Sequence, residues 1–542
     1  MRTIVSRIGL VGLVPLVVGL PLEAQVTFDR ILNAEREPQN WLSYSGTVDN
    51  QRYSRLDQIN TQTVGGLELQ WIWQARSLEK FEATALVVDG ILYTVQAPND
   101  VVALDAATGR VFWTYHHENA PEGRACCGRV NRGVAILGNT LYLGTLDAHL
   151  IAIDARTGQQ IWKSQVALAK AGYSITHNPT IVKDKVIVGT GGGDGPIRGY
   201  IAAFDAKTGA EVWRFYTIPG PGEPGNDTWA GDSWKVGGVG VWNAGAYDPE
   251  TNLVYFGTGN PAPDWDGSTR RGDNLYSDSV VALDADTGKL KWHYQFTPHD
   301  ELDYDSTQVP VLADIQWQGK PRKVMLWANR NGVMYVLDRT TGEFLKGKPY
   351  VKTNWLDGFD AKGRPNRVKF PSKEGTAIYP HVHGATNWAP PAFSPRTGLF
   401  YVATWENSGS FAVEGQFPRA IPGPNTRQTT MGATNLVPFY NDPDTGEAYG
   451  VVRAYDPQTL DQKWEFKLGD ITWGGTLVTA GDVVFSGGRD GYFLALDAKT
   501  GALLWKANVG GQINHAAMSY AVNGKQYIAI NAGSSLFTYA LP

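Results

Sequence analysis

Short apolar runs, many of them alternating or rich in β-branched residues, recur along this chain and are broken by one repeated turn phrase. Ile181-Val-Lys-Asp-Lys-Val-Ile-Val188 is typical of the runs. Such segments predict half-buried or buried strands, because successive side chains of a strand point to opposite faces. The turn phrase reads apolar-x-Leu-Asp-x-x-Thr-Gly in its fullest form, with a Trp following. It occurs at Asp105 to Gly109 with Trp113, Asp154 to Gly158 with Trp162, Asp205 to Gly209 with Trp213, Asp284 to Gly288 with Trp292, and Asp497 to Gly501 with Trp505. Weaker copies stand at Asp338-Arg-Thr-Thr-Gly342, which lacks the Trp, and at Tyr455-Asp-Pro-Gln-Thr459 with Trp464. Tyr247-Asp-Pro249 and Ser394-Pro-Arg-Thr-Gly398 are fragments of further copies.

Each copy predicts strand, tight turn, strand. Asp and Thr cap the turn through side-chain to backbone bonds, Gly supplies a positive φ, and the Trp returns to the core. A unit of roughly 40 to 50 residues repeated in this way, with longer insertions, is the pattern of a β-propeller. Parallel solenoids use shorter repeats. The Trp of each copy is read as packing between blades.

Composition agrees with many short strands: 62 Gly, 19 Trp and 24 Tyr make a turn-rich and aromatic-rich chain. A net charge of −5 leaves no basic footprint, so nucleic acid is not an expected partner. Arg2 and Arg7 precede an uncharged apolar run from Ile8 to Leu20 that ends near Ala24-Gln25. This is the pattern of a secretory signal peptide over residues 1–24, leaving 25–542 as a single exported domain. No later run reaches the ~18 apolar residues of a membrane span, so no integral membrane segment is expected in the mature chain. The only two cysteines, Cys126 and Cys127, are neighbours. Adjacent thiols can close only into a strained eight-membered ring, and an exported protein meets a compartment where a disulfide persists.

The repeat phrase resembles the tryptophan-docking motif of the quinoprotein alcohol dehydrogenases, and the resemblance extends over essentially the whole mature chain. It implies an all-β, eight-bladed β-propeller that holds pyrroloquinoline quinone (PQQ) near its axis, with a vicinal disulfide, matched by Cys126 and Cys127, against one face of the quinone. Thr297-Pro-His-Asp-Glu-Leu-Asp-Tyr-Asp305 resembles the family segment with the catalytic aspartate, which falls on Asp303. Asp305 matches an additional aspartate found in lanthanide-dependent members. A trivalent cation gains from one more anionic oxygen, so one lanthanide ion is expected, with Ca2+ the alternative.

Asn260 matches the family's amide ligand to the metal, and Asp194 falls where the family generally has Glu. For the cofactor, Arg132 matches the arginine that pairs with a quinone carboxylate, Glu82 and Thr176 match other polar contacts, and Trp242 matches the tryptophan stacked beneath the ring. Arg330 matches the cation near the reactive carbonyl, while Asn387 and Trp473 are fainter matches to cofactor contacts. Gly191 and Gly240 depart from the family's frequent Ser and Thr, and each removes a hydroxyl donor to the cofactor.

The resemblance implies a mechanism in which Asp303 takes the proton of an alcohol, with the metal and Arg330 polarising the quinone carbonyl that receives hydride. No Cys-x-x-Cys-His motif occurs in the chain. The implied electron acceptor is therefore a separate periplasmic cytochrome c or another soluble acceptor. Residues 407–450 lack the repeat phrase and are expected to form a loop over the mouth where substrate enters, with His381 and His383 nearby. A non-catalytic periplasmic scaffold would share the repeats and the signal peptide but has no use for Cys126-Cys127, Asn260, Asp303 and Arg330. A propeller hydrolase leaves the paired cysteines unexplained.

Overall fold

The computed structural model describes residues 26–123, 125–414, 435–442 and 445–542, so the expected signal peptide lies outside the described residues. Antiparallel strands dominate, and eight sheets of four or five strands account for most of them. The turn phrase folds as its residues dictate. Strand Asp100–Asp105 ends on an aspartate whose Oδ1 accepts the N–H groups of Ala107 (2.9 Å) and Thr108 (3.0 Å), Gly109 takes φ +73°, and strand Val111–Tyr115 returns. In the copy without glycine, Leu460 adopts φ +59°. That conformation costs a non-glycine residue about 1–2 kcal/mol, which burial of the Leu460 side chain offsets.

Trp113, Trp162, Trp213, Trp292 and Trp464 each dock on the next glycine-bearing copy of the phrase, not on their own. The position of a Cβ on Gly158 lies 2.5 Å from the Trp113 ring, and on Gly209 2.7 Å from Trp162, so only glycine admits the indole. The indole N–H then donates to a carbonyl of the same turn: Trp113 to Ala155 (3.2 Å), Trp213 to Ala285 (3.1 Å), Trp464 to Ala498 (3.0 Å). Trp292 lies over Gly342 in the same way, but its N–H has no acceptor.

The N-terminal strand Glu68–Gln74 pairs antiparallel with Ser535–Ala540 and so completes the sheet formed by the last three strands. Tyr53–Ser54 adds in parallel to Leu477–Thr479 of the preceding sheet. Residues from both ends of the chain thereby fasten the final sheets. Inner strands such as Val333–Asp338 are wholly buried, whereas outer ones such as Gln160–Gln165 alternate between half-buried and exposed.

In a four-stranded meander, the segment leading into the first strand and the turn from second to third strand lie at one end, and the third-to-fourth turn lies at the other. The tryptophan-bearing turns occupy the second end. The 407–450 stretch departs from its expected loop character: Gly409–Val413 and Asn435–Phe439 are strands that pair with one another, and Thr376–Ile378 joins them in a separate three-stranded sheet. Their residues can alternate without the Asp-x-x-Thr-Gly turn, which is why the missing phrase misled. Residues 415–434 lie outside the described residues.

Candidate active site

Every residue singled out as a site candidate lines one cavity of about 170 Å³. The topology brings them together. Asp194, Asn260 and Arg330 sit in second-to-third turns of three sheets, after strands Lys185–Gly189, Leu253–Gly257 and Lys320–Ala328. Glu82, Arg132, Thr176, Trp242, Asp303, Asp305, Asn387 and Trp473 sit in segments that lead into first strands. All therefore leave the sheets at the end opposite the tryptophan-bearing turns.

The acidic half of the cavity is organised by Arg330. Its Nη1 donates to Asp305 Oδ2 (2.6 Å), its Nη2 to Asp303 Oδ2 (3.0 Å), and its Nε to the carbonyl of Val382 (3.0 Å). Asp305 Oδ1 also accepts from the Asn260 backbone N–H (2.9 Å) and the Trp242 indole (3.3 Å). This approach requires Gly259, where a Cβ would fall 2.3 Å from Asp305 Oδ1. Asp303 takes φ +59°, and its buried Oδ1 has no hydrogen-bond partner.

A further carboxylate, Asp264, escaped the sequence reading. It is buried and accepts the side-chain N–H of Asn260 (2.9 Å), which turns the amide oxygen of Asn260 away from it. The signal was available, since Asp264 stands four residues after Asn260 in Asn260-Pro-Ala-Pro-Asp264. Burial drives the pKa of Asp264 well above the usual carboxylate range, and Asp194, Asp303 and Asp305 push it further. Asp303 is likewise raised, first by burial and then by Asp305 and Asp194, against the opposing pull of Arg330. Three carboxylates, Asp194, Asp303 and Asp305, thus crowd one cavity with buried Asp264 close behind them, and Arg330 is bonded to two of the three. Like charges so placed repel unless protons or a bound cation neutralise them.

The other half is flat and cationic. Arg132 pairs with Glu82 (2.7 Å) and donates to Thr176 Oγ1 (3.2 Å) and the Trp242 carbonyl (3.1 Å). Its guanidinium lies 5.1 Å from the Trp242 ring centre and 5.8 Å from that of Trp388. Trp388 stacks on Trp473 with centres 4.6 Å apart, and Lys80 stands 5.6 Å from the Trp388 ring centre. Neither Trp388 nor Lys80 was anticipated. Cys126 and Cys127 form a disulfide and line the same cavity. Asn387 donates to the His383 carbonyl (3.0 Å). His383 lines the cavity, and burial lowers its pKa to about 4, whereas His381 lies behind it and accepts the His383 N–H (2.7 Å).

The two glycine departures sit in close surroundings. A Cβ on Gly240 would meet the Gly193 nitrogen at 3.1 Å, and one on Gly191 would stand 3.0 Å from Ser174 Oγ. Ser174 Oγ is buried without a partner on the cavity wall, so a hydroxyl is present beside Gly191 although Gly191 itself has none.

An all-oxygen donor set with surplus negative charge suits a hard, highly charged cation, and the aromatic walls with Arg132 and an unsatisfied hydroxyl suit a planar anionic ring. The family described as glucose/ethanol/alcohol dehydrogenase PQQ β-propeller domain matches residues 41–347 and 446–528. Quinohemoprotein alcohol dehydrogenase ADH-IIG of Pseudomonas putida is 40% identical over 94% of this chain and 75% of its own length. The lanthanide-dependent methanol dehydrogenase of Methylacidiphilum fumariolicum is 35% identical over 98% of this chain and 89% of its own. A solved europium-containing methanol dehydrogenase superposes with a TM-score of 0.87 at 33% identity, covering 95% of this chain and all of that one. This chain belongs to the PQQ-dependent alcohol dehydrogenases, oxidoreductases built on a β-propeller.

Proposed function

We propose that the chain is an exported, periplasmic enzyme that oxidises an alcohol to an aldehyde or ketone with PQQ and one lanthanide ion, and passes the electrons to a separate cytochrome c. In this reading residues 1–24 are the signal peptide, and the eight large sheets are the eight blades of a single domain. The observation that carries the site assignment is the crowding of Asp194, Asp264, Asp303 and Asp305 beside the unpartnered Oδ1 of Asp303.

Asp194, Asn260, Asp303 and Asp305 would hold the cation, with Asp264 fixing the rotamer of Asn260. The additional carboxylate, Asp305, favours a trivalent ion over Ca2+, although Ca2+ satisfies the same donor types. Arg132, Glu82, Thr176 and Ser174 would hold the polar rim of PQQ, with Trp242, Asn387, Trp473 and the Cys126–Cys127 disulfide around the ring. When bound, the quinone supplies an electrophilic carbonyl that accepts hydride.

The chain's own part is proton handling and orientation. With a cation held beside it, Asp303 would have a lowered pKa and an ionised carboxylate able to take the hydroxyl proton of the alcohol. Arg330 holds the other oxygen of Asp303, which fixes the direction of Oδ1. Trp473 and His383, neutral above about pH 4, present an apolar wall and a polar tip to the substrate.

Dye reduction by the purified chain supplied with PQQ, a panel of alcohols, and either La3+ or Ca2+ tests this reading. Turnover that is fastest with La3+ is expected. No turnover with any metal and alcohol would overturn the enzyme assignment, and Ca2+ turnover unimproved by La3+ would overturn the lanthanide.

A further inference from the structure

Outside the acidic cavity, His117, Asp147 and His149 form a separate cluster. His117 follows strand Val111–Tyr115, at the start of the segment that carries Cys126 and Cys127. Asp147 and His149 bound the turn between strands Thr140–Gly144 and His149–Asp154 of the next sheet. His117 Nε2 lies 3.0 Å from Asp147 Oδ1, and His149 Nδ1 lies 3.3 Å from the same oxygen. The three ligand atoms all fall within 4.8 Å of one another.

His149 Nδ1 is buried and faces Asp147 Oδ1 at 3.3 Å without hydrogen-bond geometry, which leaves it poorly satisfied. Asp147 is held by its surroundings: Thr145 Oγ1 donates to Oδ1 (2.5 Å), and the Ala120 N–H donates to Oδ2 (3.3 Å). Thr145 in turn accepts the His149 N–H (3.0 Å), and Ala148 at φ +58° makes the tight bend that sets Asp147 and His149 side by side. Gly123 closes over the cluster, with room for no side chain, since a Cβ would fall 2.9 Å from Asp147 Cβ. The His149 side chain remains 19% exposed, which leaves a path for an ion.

We infer that His117, Asp147 and His149 bind one borderline transition-metal ion of the Zn2+ class, distinct from the hard cation of the acidic cavity. Two imidazoles and one carboxylate are the donor set such ions select, whereas Ca2+ and lanthanides select all-oxygen sites. Bonds of about 2.0–2.1 Å to Zn2+ place ligand atoms ~3.3 Å apart on a tetrahedron, the spacing already present around Asp147. The hydrogen bonds from Thr145 and Ala120 supply the outer contacts that orient a metal-bound carboxylate. A bound ion fastens the start of the disulfide-bearing segment to the neighbouring sheet.

Co2+ reports on this site through its visible absorption, and La3+ in excess keeps the acidic cavity filled during the titration. Chelator-treated full-length protein is expected to take up one equivalent of Co2+ with a d–d band, displaced by Zn2+. His149→Gln, a change at a partly exposed side chain, should weaken that binding about a hundredfold while leaving the melting temperature of the metal-free protein unaltered. Absence of the band in the unaltered protein overturns the inference, whatever the variant's folding. So does an equal affinity in the variant.

Discussion

The two ends of the sheets obey opposite rules. At one end, each tryptophan-bearing turn is closed: Asp caps its own turn, Gly admits the indole of the preceding copy, and the indole N–H usually finds a carbonyl. At the other end, polar groups are buried without partners, among them Asp303 Oδ1, Ser174 Oγ and both oxygens of Asp278. Buried polar atoms in folded proteins are nearly always satisfied, so a local concentration of exceptions marks a place kept ready for a ligand. The satisfied end packs sheet against sheet, and the unsatisfied end is where the proposed site lies.

Substitutions that hit one end and spare the other test this division. The largest effect belongs to Asp303→Ala. Loss of the base should cut kcat/KM by about 10²–10⁴-fold in the dye assay, while the melting temperature of the cation-free protein changes little, because relief of the repulsion from Asp194 and Asp305 offsets the lost pair with Arg330, which keeps Asp305. A large fall in melting temperature would show Asp303 to be structural.

Gly501→Ala should do the reverse. A Cβ there would lie 2.5 Å from the Trp464 ring at φ +73°, which predicts a loss of about 2–4 kcal/mol in denaturant unfolding with kcat unchanged.

Asp278→Asn probes the unsatisfied end by pH. Burial first, then Asp300 and Asp305, hold the Asp278 pKa well above its unfolded value near 4. Between those two values the folded protein binds the extra proton, so stability falls as pH rises, by up to about 1.4 kcal/mol per pH unit for this group. In chelator-treated protein, the fall in stability as pH rises above the unfolded carboxylate pKa should be shallower in the variant. An unchanged slope would mean Asp278 is already ionised.

The smallest expected effect compares two tryptophans. Trp464→Phe removes a hydrogen bond to Ala498 and should cost about 1 kcal/mol more than Trp292→Phe, whose indole N–H has no acceptor. Equal costs would show that ring packing alone sets the strength of the ladder.

The closed end was legible in the sequence because its cause is local: Asp, Thr and Gly at fixed offsets dictate one turn, and repetition reveals it. That these Trp residues dock on the following copy was not legible, since spacing within a copy says nothing of its neighbour. The cavity was legible only residue by residue, through resemblance, because its groups come from separate sheets. Asp264 was missed since it acts through Asn260, and Ser174 since its value depends on Gly191 opposite. The strands within 407–450 were missed because they lie outside the repeat whose phrase guided the reading.

Luminescence titration of Tb3+ into the chelator-treated protein, with and without Asp305→Ala, tests the central claim that these scattered carboxylates converge to hold one hard cation. A single site in the unaltered protein, resistant to excess Ca2+ and weakened about tenfold or more by the substitution, is predicted. Failure to bind Tb3+, or binding indifferent to Asp305, would contradict it.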